Sequence, residues 1–137
     1  MSIEVGGAFR CKNEDLTGEM RHLWVILTDP VTYPDCVVIV NVTTTHTGNQ
    51  VVRSYDPACD LKQGDHSLII RPSFVFYDEA MVVTVQKLED AQISHTTSFD
   101  PAVLQRMRDG AGKSRFLDRG IKRRLFEHGI ILQGPGA

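Results

Sequence analysis

The chain alternates between runs of apolar residues and short polar segments, and the longer runs have the composition of β-strands. Residues 20–28 (MRHLWVILT) and 36–45 (CVVIVNVTTT) are rich in the β-branched and aromatic side chains that favour strands. Further short strands are predicted over 59–61, 68–70, 74–77 and 81–88. Turn signals separate them, at Asp29-Pro30, 47–50 and 63–65. Many short strands joined by turns predict a small β-barrel.

The pattern changes after residue 100 to one that is typical of helices. Asp100 and Pro101 have the types expected at the N-cap and first position of a helix. Gly110 and Gly112 are expected to end this first helix, and a second is predicted over 113–128. Its apolar stripe is spaced at four residues, as Leu117, Ile121 and Leu125. Gly129 suits the left-handed residue that follows a helix.

These patterns predict an α+β fold that is mainly β, with a small β-barrel and two C-terminal helices. A length of 137 residues fits a single domain. We expect a barrel body over about 1–98, a helical tail over about 100–129 and a loose C-terminus over 130–137.

Composition indicates a globular protein outside the membrane. No apolar run reaches the length of a membrane span. The start, MSIEVGGAFRCKNED, lacks a basic segment followed by an apolar core, so we expect no signal peptide and a cytoplasmic location. The three cysteines are odd in number and widely spaced, which favours reduced thiols over a disulfide framework.

Charge is distributed unevenly along the chain. Residues 1–100 hold seven Lys and Arg against fourteen Asp and Glu, whereas 101–137 hold eight against three. The basic residues concentrate in 113–129, KSRFLDRGIKRRLFEHG. Such a segment either complements the acidic body as a solvated helix face or attracts phosphate groups or an acidic partner.

The order of the β-rich runs resembles the MazF/PemK family of toxin endoribonucleases. In that family a "VVVLS" strand leads to a strand ending "PITS", followed by "GL…SVV" and "D-x-I…V…RL" elements. The matching stretches here are 23–28, 38–44, 64–75 and 78–88, so the resemblance covers about residues 20–88. It implies an SH3-like barrel that cleaves single-stranded RNA without a metal or other cofactor. It also implies a homodimer that an antitoxin-like protein inhibits.

The resemblance carries over to few individual residues. Arg21 matches the catalytic arginine of the family, and Thr43 or Thr44 matches the threonine of "ITS". The chain has Arg21-His22 where the family has Arg-Pro, and the opening "GDIVW" strand is not recognisable near Val5. His22 and His66 have no assigned counterpart.

Polar residues at the ends of the predicted strands could perform such a reaction. Attack by the RNA 2′-hydroxyl needs a base, an acid and donors to the pentacovalent phosphate. An unperturbed imidazole has a pKa of about 6.5, so His22 and His66 are the predicted acid and base. Arg21 and Arg71 would hold the phosphate, with Thr43 and Thr44 as further catalytic residues. The predicted substrate-binding residues are Ser73, Trp24, Tyr77 and Asp65, the two aromatic rings for base stacking.

Each residue also has a structural interpretation. His22 would cap a strand, His66 would be incidental to a Gly-Asp turn, and the threonines would be ordinary strand residues. Trp24 and Tyr77 would belong to the core. At the level of function, the alternatives are a catalytically silent SH3-like barrel that binds a protein or nucleic acid, and an interaction protein with a basic docking tail. The scattered histidines predict no metal site.

Overall fold

The computed structural model describes residues 3–11, 22–29, 36–91, 93–132 and 134. The strands of this described part are β1 (Ala8–Cys11), β2 (Leu23–Ile26), β3 (Cys36–Thr44), β4 (His46–Thr47), β5 (Gln50–Val51), β6 (Asp60–Leu61), β7 (Ser73–Thr84) and β8 (Ile93–Thr96). Its helices are α1 (Val85–Asp90), α2 (Pro101–Lys113) and α3 (Arg119–Glu127). The predicted α+β, mainly β class is confirmed.

Six of the described strands form one antiparallel sheet in the order β6-β7-β3-β2-β1-β8. The sheet curls into a half-barrel, and β6 and β8 are its edges among the described strands. β4 and β5 form a separate two-stranded ribbon that continues directly from the end of β3. The sequence predicted a small β-barrel, and the described sheet is a half-barrel in which β6 and β8 are not paired with each other.

The longest pairing in the sheet joins β3 to β7 and contains a large bulge. Ile39 pairs with Met81, but Asn41 pairs with Phe76, so residues 77–80 lie opposite Val40 alone. The buried Asn41 side chain donates a hydrogen bond to Glu79 inside the bulge, at 2.9 Å from Nδ2 to Oε1. Because a bulge increases the local bend and twist of a strand, this one favours the curl of the sheet.

Both faces of the sheet are buried, which gives the protein two apolar clusters. On one face Leu23, Val25, Val38 and Val40 pack in one cluster with Met107 of α2. Leu125 of α3 belongs to the same cluster. On the other face the cluster consists of Phe9, Trp24, Ile26, Val37, Ile39, Val83 and Leu88. Successive residues of a strand point to opposite faces, so the continuous apolar runs of β2 and β3 supply both clusters.

The sequence predicted that the first C-terminal helix ends at Gly110 and Gly112, but it does not. α2 continues through Gly110 and Gly112 to Lys113. A Cβ atom at Gly110 would overlap the Tyr77 hydroxyl and would lie 2.8 Å from Cβ of Cys59. Gly110 therefore allows the close approach of α2 to the sheet. Tyr77 is buried there and donates a hydrogen bond from its hydroxyl to the Met107 carbonyl oxygen at 2.5 Å.

The second helix begins later than predicted because Ser114 and Asp118 organise the preceding link. The Ser114 hydroxyl donates to buried Asp56 at 2.6 Å and accepts from the backbone N–H groups of Phe116 and Leu117. Such local bonds favour a turn over a helix. Asp118 then caps α3 by accepting from the Ile121 N–H at 3.1 Å. Gly129 has a φ of 72°, which confirms the predicted left-handed residue after the helix.

Other elements differ from the prediction in ways that depend on local capping and on packing. The predicted strands 74–77 and 81–88 form the single strand β7, followed by α1, whose N-cap Thr84 accepts from the Lys87 N–H. Residues 68–70 are not a strand, and β1 and β8 were not predicted. The expected loose C-terminus does not extend to Ile131, which is 5% exposed and packs in the core.

The packing at Gly110 predicts opposite effects for two alanine substitutions in α2. Gly110→Ala should destabilise the protein by about 1–3 kcal/mol, because the new methyl group has no room. Gly112→Ala is the matched control, since its Cβ would lie 3.6 Å from Cβ of Ile131, an ordinary contact. It should be neutral or stabilising by up to about 1 kcal/mol through helix propensity. Urea unfolding of both variants measures this, and equal effects would contradict the packing role of Gly110.

Candidate functional site

The ends of four strands meet at one end of the sheet. Arg10 near the end of β1 pairs with Leu23 at the start of β2, and Leu23 pairs with Val42 near the end of β3. Thr44 at the end of β3 pairs with Ser73 at the start of β7. Antiparallel pairing brings these ends together, because alternate strands start where their neighbours finish.

A groove of about 370 Å³ opens at these strand ends. We call it the strand-end groove. Its lining residues are Arg10, His22, Leu23, Val42, Thr43, Thr44, Leu68, Ile69, Ile70, Arg71 and Ser73. The lining contains two guanidinium groups, one imidazole and three hydroxyl groups, and no carboxylate from the described residues. Exposed apolar side chains border it, since Ile70 is 66% and Leu68 38% exposed. Its chemistry suits an anionic ligand that also has an apolar part.

Five of the ten predicted site residues line this groove, namely His22, Thr43, Thr44, Arg71 and Ser73. The two threonines are not equivalent. The Thr43 hydroxyl donates to Asn41 Oδ1 at 3.4 Å. Thr44 is exposed, and its side chain lies on the opposite face of the sheet from that of Thr43. The Ser73 hydroxyl donates to the Arg71 carbonyl oxygen at 3.0 Å, so it shapes the backbone that carries Arg71.

His66 is not brought into the groove with His22. Its side chain is buried, and the residue is only 6% exposed. Nδ1 accepts from the Leu68 N–H at 3.0 Å, Nε2 lies 2.5 Å from the Thr97 carbonyl oxygen, and the ring packs on Phe99 with centroids 4.5 Å apart. Because both ring nitrogens have backbone partners, this geometry does not suit His66 for proton transfer to a substrate, and the predicted histidine pair is not formed.

Asp65 forms an ion pair with α2 and does not line the groove. Its carboxylate, 9% exposed, accepts from the Arg106 guanidinium at 3.1 Å. It also accepts from the Lys62 N–H at 2.9 Å, and Arg106 donates further to the Asp60 carbonyl oxygen at 2.8 Å. Burial opposes ionisation of Asp65, but the hydrogen bonds from Arg106 and Lys62 and their charges outweigh it and lower the pKa of Asp65 below its ordinary 3.8.

The two aromatic residues predicted to stack on bases are fully buried. Trp24 lies in the cluster with Phe9 and Ile26, and its indole Nε1 has no hydrogen-bond partner among the described residues. Tyr77 packs beneath α2, where burial raises the pKa of its hydroxyl far above the usual range. Neither ring therefore presents a face to a base in this arrangement.

The groove also contains a residue that the sequence reasoning missed. Arg10 lies in β1 and enters the groove through its pairing with β2. No alternation of apolar and polar residues marks this strand, since Ala8 and Phe9 are both buried, in different apolar clusters, and Arg10 is exposed. Arg21, the arginine that the family resemblance selected, lies outside the described residues.

The basic C-terminal segment forms a second, separate surface. A shallow cleft on α3 is lined by Gly120, Arg123, Arg124, Glu127 and His128. The neighbouring Lys122 is occupied, because its ammonium group donates to the Ser114 carbonyl oxygen at 2.8 Å. This basic segment therefore also stabilises the link between α2 and α3.

Comparisons with known proteins add no family assignment, since no protein-family model and no curated protein matches the chain. Within the described ranges, no set of three or more His, Cys, Asp or Glu side chains is placed to hold a metal ion. The described helices are also too short or too polar to cross a lipid bilayer.

The ion pair of Asp65 predicts a specific pH dependence of stability. A carboxyl group whose pKa is lowered by folding stabilises the native state above its unfolded pKa, and this contribution is lost as pH falls through the folded pKa. Asp65→Asn should therefore lower the urea midpoint at pH 7, and the difference from wild type should shrink below about pH 4.

Asp78→Asn provides the control, because this carboxylate is exposed in the bulge of β7. It should leave the urea midpoint nearly unchanged at both pH values. A difference between wild type and Asp65→Asn that is the same at pH 7 and pH 3 would contradict the electrostatic origin of the effect.

Proposed function

We propose that the chain binds single-stranded RNA in the strand-end groove and cleaves it by metal-independent acid–base chemistry, the activity that the resemblance to MazF/PemK toxins implies. The observation that carries this proposal is the composition of the groove. Arg10, Arg71 and His22 line it together with hydroxyl groups, without a carboxylate from the described residues. A phosphodiester is the ligand that such a lining attracts.

The two arginines would hold the phosphate. A guanidinium group matches two phosphate oxygens at once, and it remains charged throughout the neutral range. The exposed Thr44 hydroxyl lies at the end of β3, so it would add a donor from the rigid side of the groove. The single hydroxyl proton of Ser73 is already donated to the Arg71 carbonyl oxygen, so Ser73 supports Arg71 instead. Arg21, next to His22 in sequence, remains the arginine that the resemblance selects.

The apolar border would contact an unpaired base. Ile70 and Leu68 are exposed on the loop before β7, while Leu23 and Val42, on the paired strands β2 and β3, line the same groove. A base in a duplex keeps its faces stacked on its neighbours, so apolar contact with a base face needs single-stranded RNA. This surface takes the place of the stacking that the buried Trp24 and Tyr77 cannot provide.

His22 would be the proton-transfer residue of the groove. As a base it takes the proton of the 2′-hydroxyl, whose oxygen attacks the adjacent phosphorus. The bond from phosphorus to the 5′-oxygen then breaks, and water protonates the departing oxygen because His66 is occupied elsewhere. The guanidinium groups would stabilise the charge of the pentacovalent phosphate. The products are a 2′,3′-cyclic phosphate and a 5′-hydroxyl.

A cleavage assay with matched variants tests this function. Wild-type protein should cut single-stranded RNA to cyclic phosphate ends, and should bind DNA of the same sequence without cutting it. His22→Ala should slow cleavage by about 10²–10⁴-fold with RNA binding retained. Arg71→Gln should weaken RNA binding by about 10-fold or more through the loss of a charged hydrogen bond. Arg115→Gln, exposed and outside the groove, should match wild type.

The same assay separates the alternative functions. RNA binding that depends on Arg71, without cleavage by wild type, would favour the catalytically silent SH3-like barrel. Equal loss of binding in Arg71→Gln and Arg115→Gln would point to nonspecific charge, and no binding by wild type would overturn the proposal.

The resemblance extends the proposal to a toxin–antitoxin setting. In that setting the chain is a cytoplasmic homodimer that an antitoxin-like protein holds inactive. Induced expression would then arrest growth while cellular RNA is degraded, and His22→Ala would relieve both effects. Normal growth with intact RNA on induction of the wild-type chain would count against this setting.

A further inference from the structure

One imidazole fixes the loop that forms a wall of the strand-end groove. His66 accepts from the Leu68 N–H through Nδ1, at 3.0 Å, and its Nε2 lies 2.5 Å from the Thr97 carbonyl oxygen. A carbonyl oxygen can only accept, so Nε2 carries the proton, while Nδ1 is the bare acceptor. Both contacts are therefore satisfied by one neutral tautomer of His66.

These contacts join the loop to a distant part of the chain. The Ile69 N–H donates to the His66 carbonyl oxygen at 3.0 Å, which closes a turn around the imidazole. Phe99, on which the ring packs, immediately precedes the N-cap of α2. On the N-terminal side of His66, the pair between Asp65 and Arg106 attaches the loop to α2 itself.

The fixed loop supplies much of the groove wall. Leu68, Ile69, Ile70 and Arg71 follow His66 directly, and all four line the strand-end groove. Ile69 is buried in the core, whereas Ile70 and Arg71 are exposed. Since these residues form no strand, they have no ladder of backbone hydrogen bonds to hold them. At the end near β7, the Ser73 hydroxyl donates to the Arg71 carbonyl oxygen and the Thr45 N–H donates to that of Pro72. At the other end, their position depends on the contacts of His66, Asp65 and Ile69.

We propose that His66 is a positioning residue of the groove. It fixes Ile70 and Arg71 in the geometry that binds the base and the phosphate, although it does not itself line the groove. Its effect on RNA rests on the function proposed above, but its effect on the order of the loop does not. The residue that sequence reasoning selected for acid–base chemistry thus acts through Arg71.

Two conservative substitutions separate the contacts of His66. An asparagine oxygen occupies roughly the place of Nδ1, so His66→Asn retains an acceptor for the Leu68 N–H. A glutamine nitrogen reaches roughly the place of Nε2, so His66→Gln retains the donor to Thr97 but leaves the Leu68 N–H without its acceptor. Both variants lose the ring contact with Phe99, which makes each the matched control of the other.

Amide hydrogen exchange and steady-state cleavage of a single-stranded RNA test the proposal together. His66→Gln should speed exchange of the Leu68 amide by roughly 2- to 10-fold, whereas His66→Asn should leave it close to wild type. KM for RNA should increase in the order wild type, Asn, Gln, with kcat changed less than about threefold, because His66 contacts no reacting atom. Nitrogen chemical shifts of the wild-type imidazole should report protonated Nε2 and bare Nδ1, which requires no variant.

Several outcomes would overturn the positioning role. The first is an exchange rate of the Leu68 amide that is the same in His66→Gln as in wild type. The second is a protonated Nδ1 in the wild-type imidazole. The third is a decrease in kcat without a change in KM, which would make His66 a catalytic residue. If both His66 variants unfold, the nitrogen chemical shifts of the wild-type imidazole decide whether His66 makes the two contacts that the positioning role requires. If wild type neither binds nor cleaves RNA, the proposed function fails while the exchange and chemical-shift results still decide the role of His66.

Discussion

The antiparallel pairing of β3 with β7 is the constraint on which the rest of the structure depends. β3 is paired along both edges, with β2 on one side and β7 on the other, and five of its residues in succession are buried. A strand enclosed in this way must satisfy its backbone through the ladder, so its register is strongly fixed. That register determines which residues meet at its end, Thr44 with Ser73 and Thr43 with Phe74. The packing of the core therefore determines where the strand-end groove forms.

The two sides of the groove are held by different forces. The sheet side carries Arg10, Leu23 and Val42 on paired strands over an apolar core, which gives a rigid frame. The loop side has no ladder and depends on polar contacts between distant residues, such as those of His66 and Asp65. Polar contacts of this kind contribute little free energy individually but are directional, so they determine where a loop lies. The two sides therefore place Arg10 and Arg71 by different means, the sheet side by strand pairing and the loop side by directional polar contacts.

The distribution of charge is consistent with an anionic ligand at the groove. The first hundred residues are acidic overall, yet Arg10, His22 and Arg71 meet at one end of the sheet. A local concentration of positive charge on an acidic body favours the binding of an anion at that place. The basic face of α3 is a further cationic region, and part of its charge serves the link between α2 and α3 through Lys122.

Features that depend on local preferences could be predicted from the sequence. The strand over 36–45 corresponds to β3 at Cys36–Thr44, Asp100-Pro101 starts α2, and Gly129 follows α3 in the left-handed conformation. The concentration of polar residues at strand ends also indicated where a site could form. These features can be predicted because helix and strand propensity, capping and periodicity depend on a few neighbouring residues.

The tertiary structure alone decided the features that depend on distant contacts. Gly110 signals a helix end by composition, but the packing of Tyr77 makes it a point of close approach within α2. His66 and Thr97 are 31 residues apart, so no local pattern could assign this imidazole to the support of a loop. Arg10 enters the groove only through the pairing of β1 with β2. The sequence determined which segments become strands and helices, and long-range packing decided which side chains those segments bring together, because burial and partners exist only once the chain has folded.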